Sequence, residues 1–219
     1  MSESPRLIGG KPNSWSDVNT RLESETREAL LDAAEALFAA EGLADVSLAA
    51  ITRLAGQRNG GAIHYHFGGR DGLLDAIYER HQAVLDAARM EALIALRRRG
   101  QPSVSDLLRV MIETLASRLD SGSGRSFLEI QRHRLVEVAG AAVPQTATGR
   151  MIAAELESLV GDRFEPDERE ERSALMTRMV VHRMADRSRE EALGTATISR
   201  ERMIETLVAA ATAIAGGEV

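Results

Sequence analysis

The chain has few of the residues on which several common kinds of protein depend. It contains no cysteine, so disulfides and thiolate metal sites are excluded. Aromatic residues make up only 3% of the sequence, although 44% of its residues are hydrophobic. A core built mainly from alanine, leucine, valine, isoleucine and methionine favours close-packed helices over a β-sandwich.

Signals for membrane insertion and export are also missing. No apolar run approaches the ~18 residues that a membrane-spanning helix needs. The first residues, MSESPRLIGGKPNSW, lack the apolar stretch of a secretory signal. We therefore expect a cytoplasmic protein that has no membrane partner.

The net charge of −6 argues against a nucleic-acid partner, but the charge is unevenly distributed. No acidic residue occurs within residues 51–70, where Arg53, Arg58 and Arg70 supply three positive charges. Acidic residues cluster before this segment and again within residues 165–171. A locally basic segment on an acidic body permits phosphate binding, and a chance gap in the acids is the alternative.

Apolar positions at helical spacing predict nine helices and no strand. We expect the first four helices over residues 24–41, 48–55, 59–66 and 71–99, and five more after Pro102. Thr20 and Glu23 have capping-box spacing, with Ser24 as an alternative cap for the first helix. Breaks are expected at 121–124 and 139–149, and a long helix at 166–186 that opens on a proline. The predicted fold class is all-α.

Residues 47–74 have the plan of a helix-turn-helix that reads DNA. The segment SLAAITRLAGQRNGGAIHYHFGGRDGLL predicts a short helix, a turn at Gly56, a second short helix and the start of a long one. In such a motif one helix braces across the DNA backbone while the next enters the major groove. Ser47 is the expected N-cap of the first short helix, and Asp71 that of the long one.

The same segment resembles the N-terminal signature of the TetR/AcrR family of transcriptional regulators. The matching residues are Gly56, the run AIHYHF at 62–67 and the pair Leu73-Leu74. Two features depart from the commonest pattern. The interval from Gly56 to Phe67 is one residue longer, and two glycines replace a frequent polar–Gly pair.

The resemblance implies an N-terminal three-helix, helix-turn-helix DNA-binding domain and a C-terminal helical domain for ligand binding and dimerisation. We expect the first domain over residues 21–70 and the second over 71–219, preceded by a flexible arm of residues 1–20. The implied function is that of a ligand-responsive regulator, a repressor that binds a palindromic operator in double-stranded DNA as a homodimer. An unknown small-molecule effector would release it.

Nine residues of the motif are the predicted DNA contacts. Arg58 and Asn59 are expected at the start of the third helix, where the helix dipole favours phosphate. The two glycines that follow allow close backbone approach, or simply permit the turn. By resemblance, Tyr65 touches phosphate and His64 faces a base. The full set is Ser47, Arg58, Asn59, Gly60, Gly61, His64, Tyr65, His66 and Arg70.

Two further residue sets belong to the C-terminal half. Flexible apolar side chains mixed with a few polar ones are typical of a ligand pocket, although the same stripe also suits plain core. The predicted pocket comprises Met111, Leu115, Phe127, Ile130, His133, Arg134 and Met151. The predicted dimer interface, which could equally close the monomer core, comprises Met176, Met179, Val180, Leu207, Ala211 and Ile214.

No cofactor, metal or enzymatic activity is expected. His64 and His66 are two residues apart and point to different sides of a helix, with no carboxylate or cysteine nearby to complete a metal shell. An all-helical enzyme is the rival hypothesis, but no Gly-rich phosphate loop, HExxH motif or Ser-His-Asp set is evident. A third hypothesis is a helical adaptor that no longer binds DNA, consistent with the acidic total and the glycines near His64.

Overall fold

The computed structural model describes residues 15–137 and 146–217. Over these ranges the chain forms nine α-helices and no strand, which confirms the predicted all-α class. Short 3₁₀ turns, Ser117–Asp120 and Gly161–Arg163, follow the fifth and seventh helices. The helices are α1 (Trp15–Glu41), α2 (Leu48–Leu54), α3 (Ala62–Phe67), α4 (Arg70–Arg97), α5 (Val104–Ala116), α6 (Gly122–Glu137), α7 (Ala147–Val160), α8 (Pro166–Leu193) and α9 (Arg200–Ile214).

Helix α1 begins well before its predicted start. The expected flexible arm is wrong for residues 15–20, which are helical, and residues 1–14 lie outside the described part of the chain. Neither Thr20 nor Ser24 caps the helix, because both lie inside it. No glycine or proline interrupts residues 15–41, and Arg21 donates to Glu25 across one turn at 2.8 Å, so the helix continues.

Other helix boundaries also differ from the prediction. Helix α4 is capped by Gly69, and Asp71 lies in its first turn instead of capping it. The loop expected at 121–124 is mostly the first turn of α6, and α8 continues beyond residue 186 to Leu193. Pro144 and the rest of the break expected before residue 146 lie outside the described residues, whereas residues 147–149 already belong to α7.

The turn between α2 and α3 depends on Gly56. Its φ of +69° lies in the left-handed region, and a Cβ there would meet no atom within 4 Å. Gly60 in the same connection also has open space around it but has no positive φ. Only the first of these two glycines is therefore required by backbone conformation.

We expect Gly56→Ala to lower the free energy of unfolding by about 1 kcal/mol, because alanine is strained at positive φ. The matched variant Gly60→Ala should be neutral or slightly stabilising, because it restricts the unfolded chain without strain. Urea unfolding followed by circular dichroism measures both variants. Equal losses in the two would contradict the assignment of Gly56 as the turn residue.

The three N-terminal helices, α1 to α3, form a unit that we call the head, and α4 to α9 form the body. Head and body share one continuous buried cluster, which includes Phe38 and Ile63 of the head and Phe127 and Val208 of the body. The contact between α1 and α6 is more extensive than the contact between any other two of these helices. A displacement of α6 is therefore transmitted directly to the head.

Candidate functional site

The exposed face of α3 presents two of the predicted DNA contacts. Ala62 and Ile63 point inward and are buried, whereas His64 and Tyr65 are exposed, with Tyr65 73% accessible. The Tyr65 hydroxyl donates only a long hydrogen bond of 3.4 Å, to an exposed carboxylate oxygen of Glu23. A large aromatic side chain with its hydroxyl in solvent is well suited to meet a phosphate.

The residues before α3 form a turn and not its first helical residues. Arg58, Asn59, Gly60 and Gly61 all precede Ala62, which corrects the expected start of the helix at 59. The Asn59 side-chain oxygen accepts a hydrogen bond from the Gly61 amide at 2.9 Å, and this local turn holds the segment out of the helix. All four are exposed, so the turn is accessible to a partner.

Ser47 is the N-cap of α2, as predicted. Its hydroxyl accepts a hydrogen bond from the Ala50 amide at 3.1 Å. Because Ser47 is also exposed, capping leaves its hydroxyl proton available to a ligand.

Arg70 has an internal role that the sequence did not reveal. Its guanidinium donates to the carbonyl oxygen of Leu43 at 2.7 Å and to that of Val46, and it lies 5.5 Å above the ring of Phe38. These contacts clamp the connection between α1 and α2. The expected position near the DNA backbone is therefore corrected to one that stabilises the head itself.

His66 and Arg53 also differ from expectation. The His66 ring is half-buried, at 4.9 Å from the Tyr65 ring and 6.1 Å from the Phe67 ring, so it is less accessible than His64 and Tyr65, and its DNA contact stays a prediction. Arg53 on α2 is exposed but was not among the predicted contacts. The acid-free segment around it was the signal that could have identified it.

Comparison with known proteins finds a family match for the N-terminal segment of the chain. The family profile described as bacterial regulatory proteins, tetR family, matches residues 30–77, which span the head motif and the first turns of α4. The helix-turn-helix segment of the chain is therefore similar to that of the tetR family. The HTH-type transcriptional regulator AcrR of Shigella flexneri is 32% identical over 123 residues. That match covers 56% of this chain and only 55% of the relative's length.

Two solved structures align with most of the chain. A TetR-family regulator from Streptomyces coelicolor is 20% identical with a TM-score of 0.46, covering 89% of this chain and 96% of the other. AmtR of Mycobacterium smegmatis is 19% identical with a TM-score of 0.48, covering 99% of this chain and 91% of the other.

The body encloses a cavity of about 620 Å³. Two of the predicted pocket residues, Met111 and Leu115, line it. The other lining side chains come from α4 to α9 and include buried Leu85, Arg89, Leu108 and Gln131. A volume of this size matches sites that hold drug-sized molecules, so the cavity is the candidate effector site.

Five of the predicted pocket residues do not line this cavity. Phe127 and Ile130 are fully buried in the core, because they lie on the inward face of α6. Arg134 lies 4.7 Å above the Tyr78 ring, His133 is half-buried, and Met151 is 42% exposed on α7. The sequence pattern identified helices that do line the cavity. Which face of each helix points into the cavity depends on how the helices pack.

The predicted dimer residues mostly point into the protomer. Met176, Val180 and Ala211 line the cavity, and Leu207 is 5% exposed within the core. Met179 and Ile214 are half-buried. Leu207 and Ala211 are buried in the protomer and face the monomer core, which was the alternative, whereas the interface formed by the half-buried members stays a prediction. The large apolar side chains that α8 exposes are Leu175 and Leu193.

A buried polar cluster joins the head to the body, and we call it the junction: Glu35, Arg80, His81, Ser123 and Phe127. Glu35 on α1 is only 3% exposed, and its carboxylate lies 3.1 Å from His81 Nε2. Arg80 of α4 and the hydroxyl of Ser123 on α6 both donate to the same carboxylate. The His81 ring stacks on Phe127 at 4.2 Å. Three helices thus meet at one carboxylate.

Burial, the largest single influence on Glu35, opposes its ionisation. Hydrogen bonds from His81 and Ser123, together with the attraction of His81 and Arg80, outweigh burial and hold the pKa of Glu35 below its ordinary value of 4.5. The carboxylate is therefore charged in the folded protein near neutral pH. Its stabilising contribution is complete above the unfolded-state pKa and is lost as the pH falls through the lower folded-state pKa.

We expect Glu35→Gln to be less stable than the wild type at about pH 7, and the difference to shrink at about pH 3.5. Glutamine keeps the shape but not the charge, so only the wild type loses this contribution on acidification. Urea unfolding of both proteins at the two pH values measures the difference between their free energies of unfolding. The other carboxylates contribute equally to both proteins, so their contributions cancel in this difference. A difference that is constant with pH would contradict an ionised Glu35.

In the parts of the chain that the structure describes, no group of three histidine or carboxylate side chains could hold a metal ion. Within the same ranges, no helix combines the length and apolar character needed to cross a bilayer.

Proposed function

We propose that this protein is a DNA-binding transcriptional regulator that reads a palindromic operator as a homodimer. The observation that carries the proposal is the exposed pair His64 and Tyr65 on α3 of a tetR-like head, next to the exposed turn at Arg58. The major groove accepts a helix whose outward side chains donate to bases and phosphates. The name of the Shigella flexneri relative, a transcriptional regulator, supports the same role.

The proposed division of labour follows the head and the body. Residues 21–70 bind DNA, and residues 71–219 bind an effector and the second subunit. A single short helix contacts too few bases for useful specificity, so two heads on a two-fold axis are needed. Leu175 and Leu193 on α8 are candidates for the subunit contact, because they are large apolar side chains exposed to solvent.

The effector acts through α4 and α6 in this proposal. Gln82 and Arg89 of α4 and Gln131 of α6 line the cavity, while His81 of α4 and Phe127 of α6 belong to the junction. A molecule that fills the cavity displaces two helices that hold α1, and the head moves with them. Release of the operator on binding makes the protein a repressor in the cytoplasm, not an enzyme.

Selection of bound fragments from sheared genomic DNA tests the proposal, with stoichiometry and a salt titration of the enriched sequence. We expect an enriched palindrome, two protein chains per site, and an affinity that falls as salt rises. From the exposed arginines of the head we expect a modest slope when the logarithm of the affinity is plotted against the logarithm of the salt concentration. No enrichment at low salt, either alone or with cell extract as a source of co-repressor, would refute the proposal and favour the adaptor hypothesis.

A further inference from the structure

Arg89 is a buried cation in the wall of the cavity. Its side chain belongs to α4, is 8% exposed and lies among the lining residues. Two threonine hydroxyls, of Thr114 and Thr146, accept from its Nε and Nη1 atoms at 3.4 Å each. Among the described residues, no carboxylate forms an ion pair with this guanidinium.

The two hydroxyls are weak partners because both have other bonds. Thr114 donates its proton to the Val110 carbonyl at 2.7 Å, and Thr146 caps α7 by accepting from the Gly149 amide at 2.9 Å. Each oxygen therefore offers Arg89 only a lone pair at long range. The planar fork of an arginine suits a bidentate acid, and no described residue supplies one to this fork.

Asp86, the acid that interacts electrostatically with Arg89, is bound elsewhere. Its Oδ1 atom accepts from the Thr148 amide at 2.7 Å, at the start of α7. Burial is the main influence on Arg89 and lowers the pKa of its guanidinium to about 10, with only partial compensation from Asp86. The group is thus still charged near neutral pH, and a buried charge without a matching partner is costly.

Apart from Gln82 and Gln131, the side chains that line the inner wall around Arg89 are mainly aliphatic. Buried Leu85, Leu108, Ile112 and Ile152 line it with Met111 and Met176, and none of the described lining residues is aromatic. Flexible thioether and branched aliphatic side chains adapt to an alkyl chain, whereas a flat ring system gains from aromatic neighbours that are missing here.

The acidic residues of the cavity lie at its outer end. Asp167, Glu170 and Glu171 belong to the first turns of α8 and are exposed to solvent. Water and salt screen exposed charges, so their repulsion of an anion is small beside the attraction of a buried guanidinium. The inner end of the cavity therefore determines the sign of the charge on the preferred ligand.

We propose that the effector is an amphipathic carboxylate, whose acid group pairs with Arg89 and whose alkyl body of roughly ten or more carbons fills the aliphatic wall. This assignment rests on the proposed function, because it names the class of molecule that occupies the regulatory cavity. The carboxylate supplies the bidentate partner that none of the described side chains provides.

Calorimetric titration of the full chain with decanoate, decanol and decyltrimethylammonium tests the proposal without any variant. The three probes share an alkyl chain and differ in the charge of the head group. We expect decanoate to bind at least tenfold more tightly than decanol, a difference of about 1.4 kcal/mol. Equal affinities, tighter binding of the ammonium probe, or no binding of decanoate up to its solubility would overturn the assignment.

The variant Arg89→Met identifies the residue. Methionine keeps an unbranched apolar stem, so decanoate should lose at least tenfold in affinity while decanol changes little. Arg178→Met is the matched control, because Arg178 also lines the cavity but is half-buried, and it should keep the preference for decanoate. A preference for decanoate that survives in Arg89→Met would overturn the role of this residue.

These titrations contain no DNA, so they are independent of operator binding. If the operator is bound but decanoate is not preferred, the carboxylate assignment fails and the regulator proposal stands. If decanoate binds through Arg89 but no operator is ever selected, the regulator proposal fails and the ligand class stands. Decanoate that binds without changing operator affinity would refute its role as effector.

Discussion

Replacing Tyr65 by alanine is expected to lower the affinity for the selected operator by roughly 30-fold. Tyr65 is 73% exposed on α3, and its hydroxyl has only one long hydrogen bond within the protein. Loss of a phosphate contact removes about 1 kcal/mol, and a homodimer loses it twice. Because a phosphate contact carries no sequence information, the loss should be similar on matched and mismatched operators.

His64→Ala is the matched control on the same exposed face. A side chain that faces a base should change which sequence is preferred, with a cost of about 1–3 kcal/mol that depends on one position of the operator. Fluorescence anisotropy with the operator and its single-base variants measures both proteins, and circular dichroism checks that each is folded. Wild-type affinity and selectivity in both variants would remove α3 as the reading helix.

Replacing Phe127 by alanine is expected to lower the free energy of unfolding by about 4 kcal/mol, or the melting temperature by roughly 10 °C. The ring is fully buried, stacks on His81 at 4.2 Å and meets the Tyr78 ring edge-on at 5.5 Å. Its removal leaves a cavity where α1, α4 and α6 meet. The loss in free energy of unfolding should exceed the loss caused by truncating a buried side chain at the edge of the body.

Phe164→Ala is the control for this change of side chain. Phe164 is half-buried, and its main partner is the guanidinium of Arg172 at 3.8 Å from the ring centre. We expect a loss of about 1 kcal/mol, because less apolar area leaves contact and no closed cavity forms. Similar losses in the two variants would show that the junction is not a tightly packed centre of the fold.

Local signals in the sequence were reliable where the structure depends on neighbouring residues. Ser47 caps α2 and Pro166 opens α8 as expected, because each effect involves a few successive amides. The helix-turn-helix at 47–74 and its likeness to the tetR family were also recognised from a short segment. Asn59 was misplaced because its side chain forms a turn with Gly61 that competes with the helix.

Side chains with distant partners could not be assigned in this way. Arg70 bonds to Leu43, which is 27 residues away in the sequence, and Ser123 bonds to Glu35 across 88 residues. The apolar stripes of α6 and α8 showed which helices are amphipathic but not which neighbour each face meets. Met176 was therefore expected at a subunit contact although it lines the cavity.

The sequence by itself determined the all-α class, the nine helices of the described residues and the tetR-like helix-turn-helix, because periodicity and a contiguous motif are properties of adjacent residues. The tertiary structure alone decided where the cavity lies, that Arg89 is buried in its wall, and that Glu35 joins the head to the body. Those features depend on how helices far apart in the chain rotate against one another, and packing fixes that rotation.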